Sequence, residues 1–232
     1  MGDRRPDVPS FDRFAGDYES HLDRTVRITG EGSEYFAEYK ARYLASLVPP
    51  DFPGKVLDFG CGPGLVAQFL GPLLPRAELH GYDESAEMVA RFRERAGRGR
   101  FVADRRELDR DYDLIVIANV LHHVPPDGRP AAVHQLGARL RPSGRLVVFE
   151  HNPVNPLTRW AVSRCPFDEG VQLLGPTETV GHLRSAGLDA PSVRYIVFFP
   201  RALSWCRPLE SRLGWCPLGA QYVALGTRRA GP

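Results

Sequence analysis

A glycine-rich stretch and the acidic residues that follow it are the features of this sequence that point most directly to chemistry. Residues 56–64, VLDFGCGPG, have the pattern of a buried strand followed by a turn that contains Gly60 and Gly62. Glycine lets the backbone turn tightly and approach a ligand closely. Asp83 and Asp104 each end a later apolar run, where a carboxylate can meet ribose hydroxyls or an exocyclic amine. Singly, each acid is equally a helix cap or a loop residue, but together they predict a nucleoside-binding edge.

Asp58 indicates which kind of ligand this edge would take. It lies just before the glycine turn, where its charge would repel the pyrophosphate of NAD or FAD. The glycine spacing is also GxGxG and not the GxGxxG of dinucleotide sites. S-adenosylmethionine (SAM) carries an ammonium and a sulfonium, so a carboxylate suits it. We therefore expect SAM, and a dinucleotide oxidoreductase is the disfavoured alternative.

Short apolar runs alternate with helical segments from residue 55 onward, which predicts a parallel sheet with crossover helices. The seven predicted strands are KVLDFG, AELHGYD, RFVAD, DLIVIAN, GRLVVFEH, VRYIVFFP and QYVALGTR. The helical segments between them are LVAQFLGPLL, SAEMVARFRERAG, AAVHQLGARL, which leads to a turn at RPSG, and TETVGHLRSAG. The stretch between the last two strands is broken by proline and glycine, so we expect an irregular excursion over the sheet edge.

Two helices, within FDRFAGDYESHLDRTVRI and SEYFAEYKARYLASL, are predicted before the sheet. Residues 1–10 are charged and rich in proline, which is typical of a frayed end. We expect residues 1–45 to form a helical lid or cap on a binding domain of residues 46–232. Segments near 151–175 and 201–220 are expected to face the substrate.

The motifs VLDFGCGPG, GYDESAEM, VAD and ANVLHHV, with LRPSGRLVVFEH after them, resemble the class I SAM-dependent methyltransferases over roughly residues 35–150. The resemblance implies a Rossmann-like, doubly wound α/β fold whose sheet of seven strands is mostly parallel, with an antiparallel last strand beside the fifth. It also implies SAM as cofactor and S-adenosylhomocysteine as product. The implied cofactor contacts are Gly60, Cys61 and Gly62 with the methionine moiety, Asp83 with the ribose, Asp104 with the adenine amine, and Asn119 and Val120 near the sulfonium, together with Asp58, Glu84, Met88 and Arg105.

The acceptor side is less specified, because methyl transfer needs a positioned acceptor and needs a base only if the acceptor carries a proton. The candidate catalytic residues are His123, His151 and Glu150, which follow the fourth and fifth strands. The candidate substrate-binding residues are Tyr18, Tyr39, His122 and Asn152. Ordinary packing or turn capping is the alternative for each. We expect no metal, because adjacent histidines without an HxxxH or a nearby Asp or Cys ligand seldom form a metal site.

Composition narrows the classes of partner. Thirty Lys and Arg against 28 Asp and Glu leave a net charge of +2, which disfavours a nucleic-acid-binding surface. No apolar run approaches the ~20 residues of a membrane span. The absence of CxxC spacing and of an apolar leader fits a reducing cytoplasm. Residues 194–215 mix arginine with aromatic side chains, so they either contact an anionic lipid headgroup or phosphate peripherally or pack around a core.

We expect methyl transfer to an O, N or C nucleophile of a small molecule, including secondary-metabolite and lipid-linked acceptors. A SAM-binding cyclase, or another enzyme on this fold that transfers no methyl group, is one alternative. A catalytically silent SAM-binding module is another. The sequence specifies neither the acceptor nor the oligomeric state.

Overall fold

The computed structural model describes residues 18–96 and 99–230. The predicted frayed end and the first part of the predicted first helix lie outside the described residues. Two α-helices of the described residues precede the sheet, α1 (Tyr18–Val26) and α2 (Ser33–Ala45). Helix α2 buries Phe36, Lys40 and Leu44, which recur every four residues and therefore share one face. A lysine thus lies on the apolar face of this helix.

The sheet has seven strands: β1 (Lys55–Phe59), β2 (Glu78–Tyr82), β3 (Arg100–Val102), β4 (Tyr112–Ala118), β5 (Leu140–His151), β6 (Leu188–Ile196) and β7 (Gln221–Arg228). Their order is β3-β2-β1-β4-β5-β7-β6. Strands β1 to β5 pair in parallel, and β7 is antiparallel to both β5 and β6. The predicted fold, including the antiparallel last strand beside the fifth, is confirmed. The strand order reverses between β1 and β4, and ligands of open α/β sheets bind at such a switch point.

Helices cover both faces of the sheet. They are α3 (Leu65–Leu73), α4 (Ala86–Ala96), α5 (Arg129–Gly137), α6 (Pro156–Val162) and α7 (Pro176–Ser185). Leu44, Leu70 and Phe92 from α2, α3 and α4 belong to one buried cluster, and Val133 and Leu183 from α5 and α7 belong to the other. Alternate residues of the strands supply both clusters. Among the described helices, none combines the length and hydrophobicity needed to cross a membrane.

Two predicted elements differ from the structure. Strand β5 already begins at Leu140, because the predicted RPSG turn is a distortion within the strand, with Ser143 at a φ of 64°. Strand β6 begins at Leu188, earlier than VRYIVFFP, and its pairing shifts register around Pro191. Proline removes a ladder hydrogen bond and is tolerated on an edge strand with a bulge. The expected excursion before β7 is a kinked 3₁₀ segment, Arg201–Arg212.

Candidate active site

The glycine turn between β1 and α3 brings backbone close to the switch point. Gly60 and Gly62 have φ values of 74° and 50°, in the left-handed region that glycine adopts without strain. A Cβ at Gly60 would lie 2.4 Å from Cγ2 of Val120, so no larger residue fits there. The N–H groups of Gly60 and Cys61 donate to the carbonyl of Tyr82, at 2.7 and 2.9 Å. The turn is therefore fixed against β2 and leaves its other side to a cavity.

This cavity has a volume of about 380 Å³, within the usual range for small-molecule sites. It lies at the carboxyl ends of β1, β2 and β4 and is covered by α1 and α2. The predicted residues that line it are Tyr18, Asp58, Gly60, Cys61, Gly62, Asp83, Glu84, Met88, Arg105, Asn119, Val120, His122, His123 and His151. Residues far apart in sequence thus converge on one site.

Four predicted site residues do not line the cavity. Asp104 caps a short 3₁₀ turn, where its carboxylate accepts from the N–H of Arg106 at 2.8 Å and pairs with the Arg106 guanidinium. Tyr39 packs against the core cluster that includes α2. Asn152 is fully buried and donates to two carbonyls of the loop before β7, at 2.9 and 2.7 Å. Glu150 lies behind the cavity wall, bound to His122.

Two carboxylates, those of Asp58 and Asp83, line the cavity beside the glycine turn. Asp83 accepts from the N–H of Gly62 at 2.9 Å and from the N–H of Ser85 at 3.0 Å. Asp58 is buried, and burial together with the charge of Asp83 raises its pKa to about 7 even though Lys40 lies nearby. A carboxylate held in this way gains most from a cationic ligand.

Asn119, directly after β4, is strained and incompletely satisfied. Its φ of 58° is uncommon for a residue with a side chain, and such strain concentrates at functional sites. Its Oδ1 accepts from the Nζ of Lys40 at 2.6 Å, whereas its Nδ2 is buried with no partner among the described residues. Burial lowers the pKa of Lys40 to about 8, although the charges of Glu150 and Asp58 act in the opposite direction.

A histidine cluster lies at the cavity wall. It consists of His122, His123 and His151 with the carboxylates of Glu150 and Asp168. Nδ1 of His122 lies 2.6 Å from Oε2 of Glu150, and its Nε2 lies 3.3 Å from Oδ1 of Asp168. Burial alone would lower the pKa of His122, but the two carboxylates raise it to about 9. His122 is therefore an imidazolium held between two carboxylates at neutral pH.

The other two histidines of the cluster are neutral. Burial and the charge of His122 lower the pKa of His123 to about 4 and that of His151 to about 4. Nε2 of His123 lies 3.4 Å from Oδ1 of Asp168. Donor atoms of His122, His123 and Asp168 all lie within 4.8 Å of one another, close enough for a metal. The sequence argument against a metal rested on the lack of a nearby Asp ligand, and the fold supplies Asp168, so the absence of a metal stays a prediction.

Four residues that sequence reasoning missed matter most among the further residues of the cavity wall. They are Lys40, Phe167, Asp168 and Gln221. The sequence contained a signal for Lys40, because this charged residue lies on the apolar face of a predicted helix. Phe167, which stacks on Tyr18 with ring centroids 5.0 Å apart, lies in the predicted segment 151–175. Oε1 of Gln221 is buried with no partner among the described residues, and only the fold brings it there.

The residues at the β1–β4 end fit SAM. A Cβ at Gly60 would collide with Val120, Nδ2 of Asn119 lacks a partner among the described residues, and Asp58 and Asp83 present carboxylates. Carboxylates suit the ammonium of the methionine moiety and the hydroxyls of a ribose. The donor set and the space therefore agree with the cofactor that the motifs imply.

The sequence of this chain is similar to those of known methyltransferases. Residues 57–146 match the family model described as a methyltransferase domain. A trans-aconitate 2-methyltransferase of Rhodopseudomonas palustris is 38% identical over 88 residues, which are 38% of this chain but only 29% of that enzyme. The trans-aconitate 2-methyltransferase of Mycobacterium marinum is 30% identical over 183 residues, which cover 69% of this chain and 68% of that enzyme.

Among solved structures, the magnesium protoporphyrin IX methyltransferase of Synechocystis, determined with bound SAM, aligns with a TM-score of 0.60 at 15% identity. The alignment covers 94% of each chain, and at this identity it speaks for the fold. The Mycobacterium relative is 30% identical and is covered over 68% of its length. The chain therefore belongs to the class I SAM-dependent methyltransferases.

Proposed function

We propose that this protein methylates an oxygen or nitrogen of a largely apolar small molecule and that His123 takes up the proton that the acceptor loses. The observation that carries this proposal is the histidine cluster, in which one charged histidine and two neutral ones meet at the cavity wall. A neutral imidazole can accept a proton, and an imidazolium cannot.

The cofactor end of the cavity would be held by groups that the fold already fixes. The turn at Gly60 and Gly62 would border the methionine moiety, Asp58 its ammonium, and Asp83 the ribose. SAM, when bound, supplies an electrophilic methyl group on a positively charged sulfur. The bound SAM in the Synechocystis neighbour supports this assignment.

The acceptor end is lined mainly by apolar side chains. Among the described residues these include Leu22, Val26, Phe36, Ala37, Val124, Pro125 and Phe167. Arg105 is the only arginine of the described lining, and its guanidinium already binds the hydroxyl of Tyr82 at 2.9 Å and the carboxylate of Glu84 at 2.6 Å. Arginine is the usual partner of bound carboxylates. This lining therefore favours an acceptor with little negative charge.

The histidine cluster would manage the proton. His123 lines the cavity and is neutral at pH 7, so it can receive a proton from a hydroxyl or amine. Asp168, 3.4 Å away, would stabilise the resulting imidazolium. His122 would stay charged, with its Nδ1 bound to Glu150 and its Nε2 bound to Asp168, which keeps Asp168 in place. A general base works best when its pKa lies near the operating pH, so His123, with its pKa lowered to about 4, would contribute near the lower end of the usual range of about 10²–10⁴ in rate.

A carboxylate acceptor is the second candidate. It is favoured by the relatives, which are trans-aconitate 2-methyltransferases, and by the buried ammonium of Lys40 at the cavity wall. A carboxylate is ionised at neutral pH and needs no base. The two candidates therefore differ in their dependence on His123.

Purified protein would be incubated with SAM carrying a radiolabelled methyl group and with trans-aconitate or a panel of phenols, alcohols and amines. We expect alkali-stable label in a phenol, alcohol or amine, and a decrease in kcat of about 10²-fold or more for His123→Ala with unchanged S-adenosylhomocysteine binding. His134→Ala, an exposed histidine on α5, is the matched control. Label only in trans-aconitate, released by mild alkali as methanol and retained in His123→Ala, would establish the second candidate instead.

A further inference from the structure

The exposed apolar side chains of the described chain are concentrated on one part of the surface. The large ones are Ile28, Val154, Leu157, Trp160, Leu203, Trp205, Leu209, Trp215 and Leu218. All belong to three segments, residues 24–31, 154–164 and 201–218, which we call the tryptophan face. All three tryptophans of the sequence are on it, and Trp205 and Trp215 are 76% and 77% exposed. Tryptophan is highly buried on average, so this exposure indicates a contact surface.

Contacts between the three segments make them one continuous surface. The end of α1 and helix α6 line a cleft of about 540 Å³ together, with Arg24 and Ile28 on one side and Trp160 on the other. Asn155, which caps α6, donates to the carbonyl of Leu218 at 2.7 Å. Segment 201–218 reaches back to the first segment through an ion pair between Arg207 and Glu31, with 2.5 Å between the charged atoms.

The face is strongly basic. Its exposed arginines are Arg24, Arg27, Arg159, Arg164, Arg201 and Arg212. The two acids of the three segments are already engaged. Glu31 pairs with Arg207, and the buried Glu210 accepts from the N–H groups of Phe198 and Phe199, at 3.0 and 3.1 Å. The positive charge of the face is therefore not neutralised by acids within these segments.

We propose that the tryptophan face docks on the surface of a bilayer that contains anionic lipids. Tryptophan is enriched at the level of lipid headgroups, and arginine is attracted to anionic lipids. The alternatives fit less well. A symmetric dimer through this face would bring the arginines of one copy against those of the other. A nucleic-acid backbone would leave the exposed leucines and valine without a partner.

The docked face lies next to the cavity. Leu22 and Val26 of α1 line the cavity, and Arg24, Arg27 and Ile28, which belong to the same helix or directly follow it, line the cleft of the face. Cys165 and Phe167, which follow α6, also line the cavity. A docked molecule would thus hold the apolar side of its cavity near the membrane.

Sedimentation with vesicles tests this proposal on the full chain. We expect the protein to pellet with vesicles of phosphatidylcholine and phosphatidylglycerol but not with phosphatidylcholine alone, and to be released by salt. Trp205→Ser with Trp215→Ser should weaken binding about tenfold or more. Arg159→Gln with Arg164→Gln should weaken it by about fivefold for each arginine removed.

The matched control is Arg76→Gln with Arg184→Gln, which removes two exposed arginines outside the face and should leave sedimentation unchanged. Binding of S-adenosylhomocysteine by each variant shows that the fold is retained and does not depend on docking. Equal pelleting with both vesicle compositions, or pelleting lost equally in the control, would overturn the proposal. So would a dimer in analytical ultracentrifugation that the two tryptophan substitutions dissociate.

Discussion

Replacing His122 with glutamine should destabilise the protein in a way that depends on pH. His122 is buried between Glu150 and Asp168, and burial of the ring is outweighed by their charges, so its pKa rises to about 9 from 6.5. This difference corresponds to about 3 kcal/mol of folding free energy. Removing one partner of a buried ion pair generally costs about 3–5 kcal/mol, which agrees with this value. The melting temperature should fall by about 6–12 °C for a domain of this size.

The sign of the pH dependence follows from the raised pKa. The stabilisation by His122 is fully present below pH 6.5, where the ring is protonated in the folded and the unfolded chain, and is lost as the pH rises through about 9. Over this range His123 and His151 are neutral in the folded chain, since burial lowers their pKa to about 4. In the unfolded chain they lose their protons as the pH rises above about 6.5. The difference between wild type and variant should therefore be largest near pH 6 and small at pH 10.

Urea unfolding of wild type and His122→Gln from pH 6 to pH 10 measures this difference directly. Subtracting the two profiles removes contributions that both proteins share. His134→Gln, an exposed histidine on α5, is the control and should follow wild type throughout. A difference that stays constant across this pH range, or a variant as stable as wild type at pH 7, would refute the charged arrangement of the cluster.

Three further outcomes are expected. Gly60→Ala should abolish S-adenosylhomocysteine binding in calorimetry, because its Cβ would lie 2.4 Å from Val120 at a left-handed φ; retained affinity would contradict this. Asn152→Ala should lower the free energy of unfolding by about 2–4 kcal/mol in urea, since two buried hydrogen bonds to the carbonyls of Pro217 and Gly219 are lost. A change below about 0.5 kcal/mol would show that these hydrogen bonds do not stabilise the fold. Treatment with EDTA should leave methyl transfer unchanged, because both ring nitrogens of His122 are already engaged by Glu150 and Asp168. Loss of activity that a divalent cation restores would show a metal there.

The fold was predictable because its signals are local. Alternating apolar runs and helical segments predicted the number of strands and their succession along the chain, and the glycine turn marked the end of β1. The antiparallel last strand beside the fifth came from the family resemblance. The boundaries of β5 and β6 could not be predicted from the sequence, because Ser143 and Pro191 lie in distortions that the paired neighbour strand supports. Turn residues in a sequence do not reveal whether a bulge continues the strand.

The residues predicted to bind the cofactor line the cavity more consistently than the residues predicted for the acceptor. Strand-end acids such as Asp83 are placed by the sheet itself, and motif spacing therefore finds them. Lys40, Asp168 and Gln221 come from a helix, a loop and a strand that meet only in the folded chain. The partners of Asn152 and Glu150, which place both residues behind the cavity wall, are likewise set by tertiary packing.

Calorimetric titration with S-adenosylhomocysteine, repeated on Asp83→Ala, tests the cofactor assignment most directly. Asp83 is fixed by the N–H groups of Gly62 and Ser85 at the cavity edge, and its removal takes away the carboxylate that we propose binds the ribose. We predict micromolar binding by wild type, weakened by about tenfold or more in the variant. Absence of binding by wild type, or equal binding by both proteins, would contradict the account of this cavity as a SAM site.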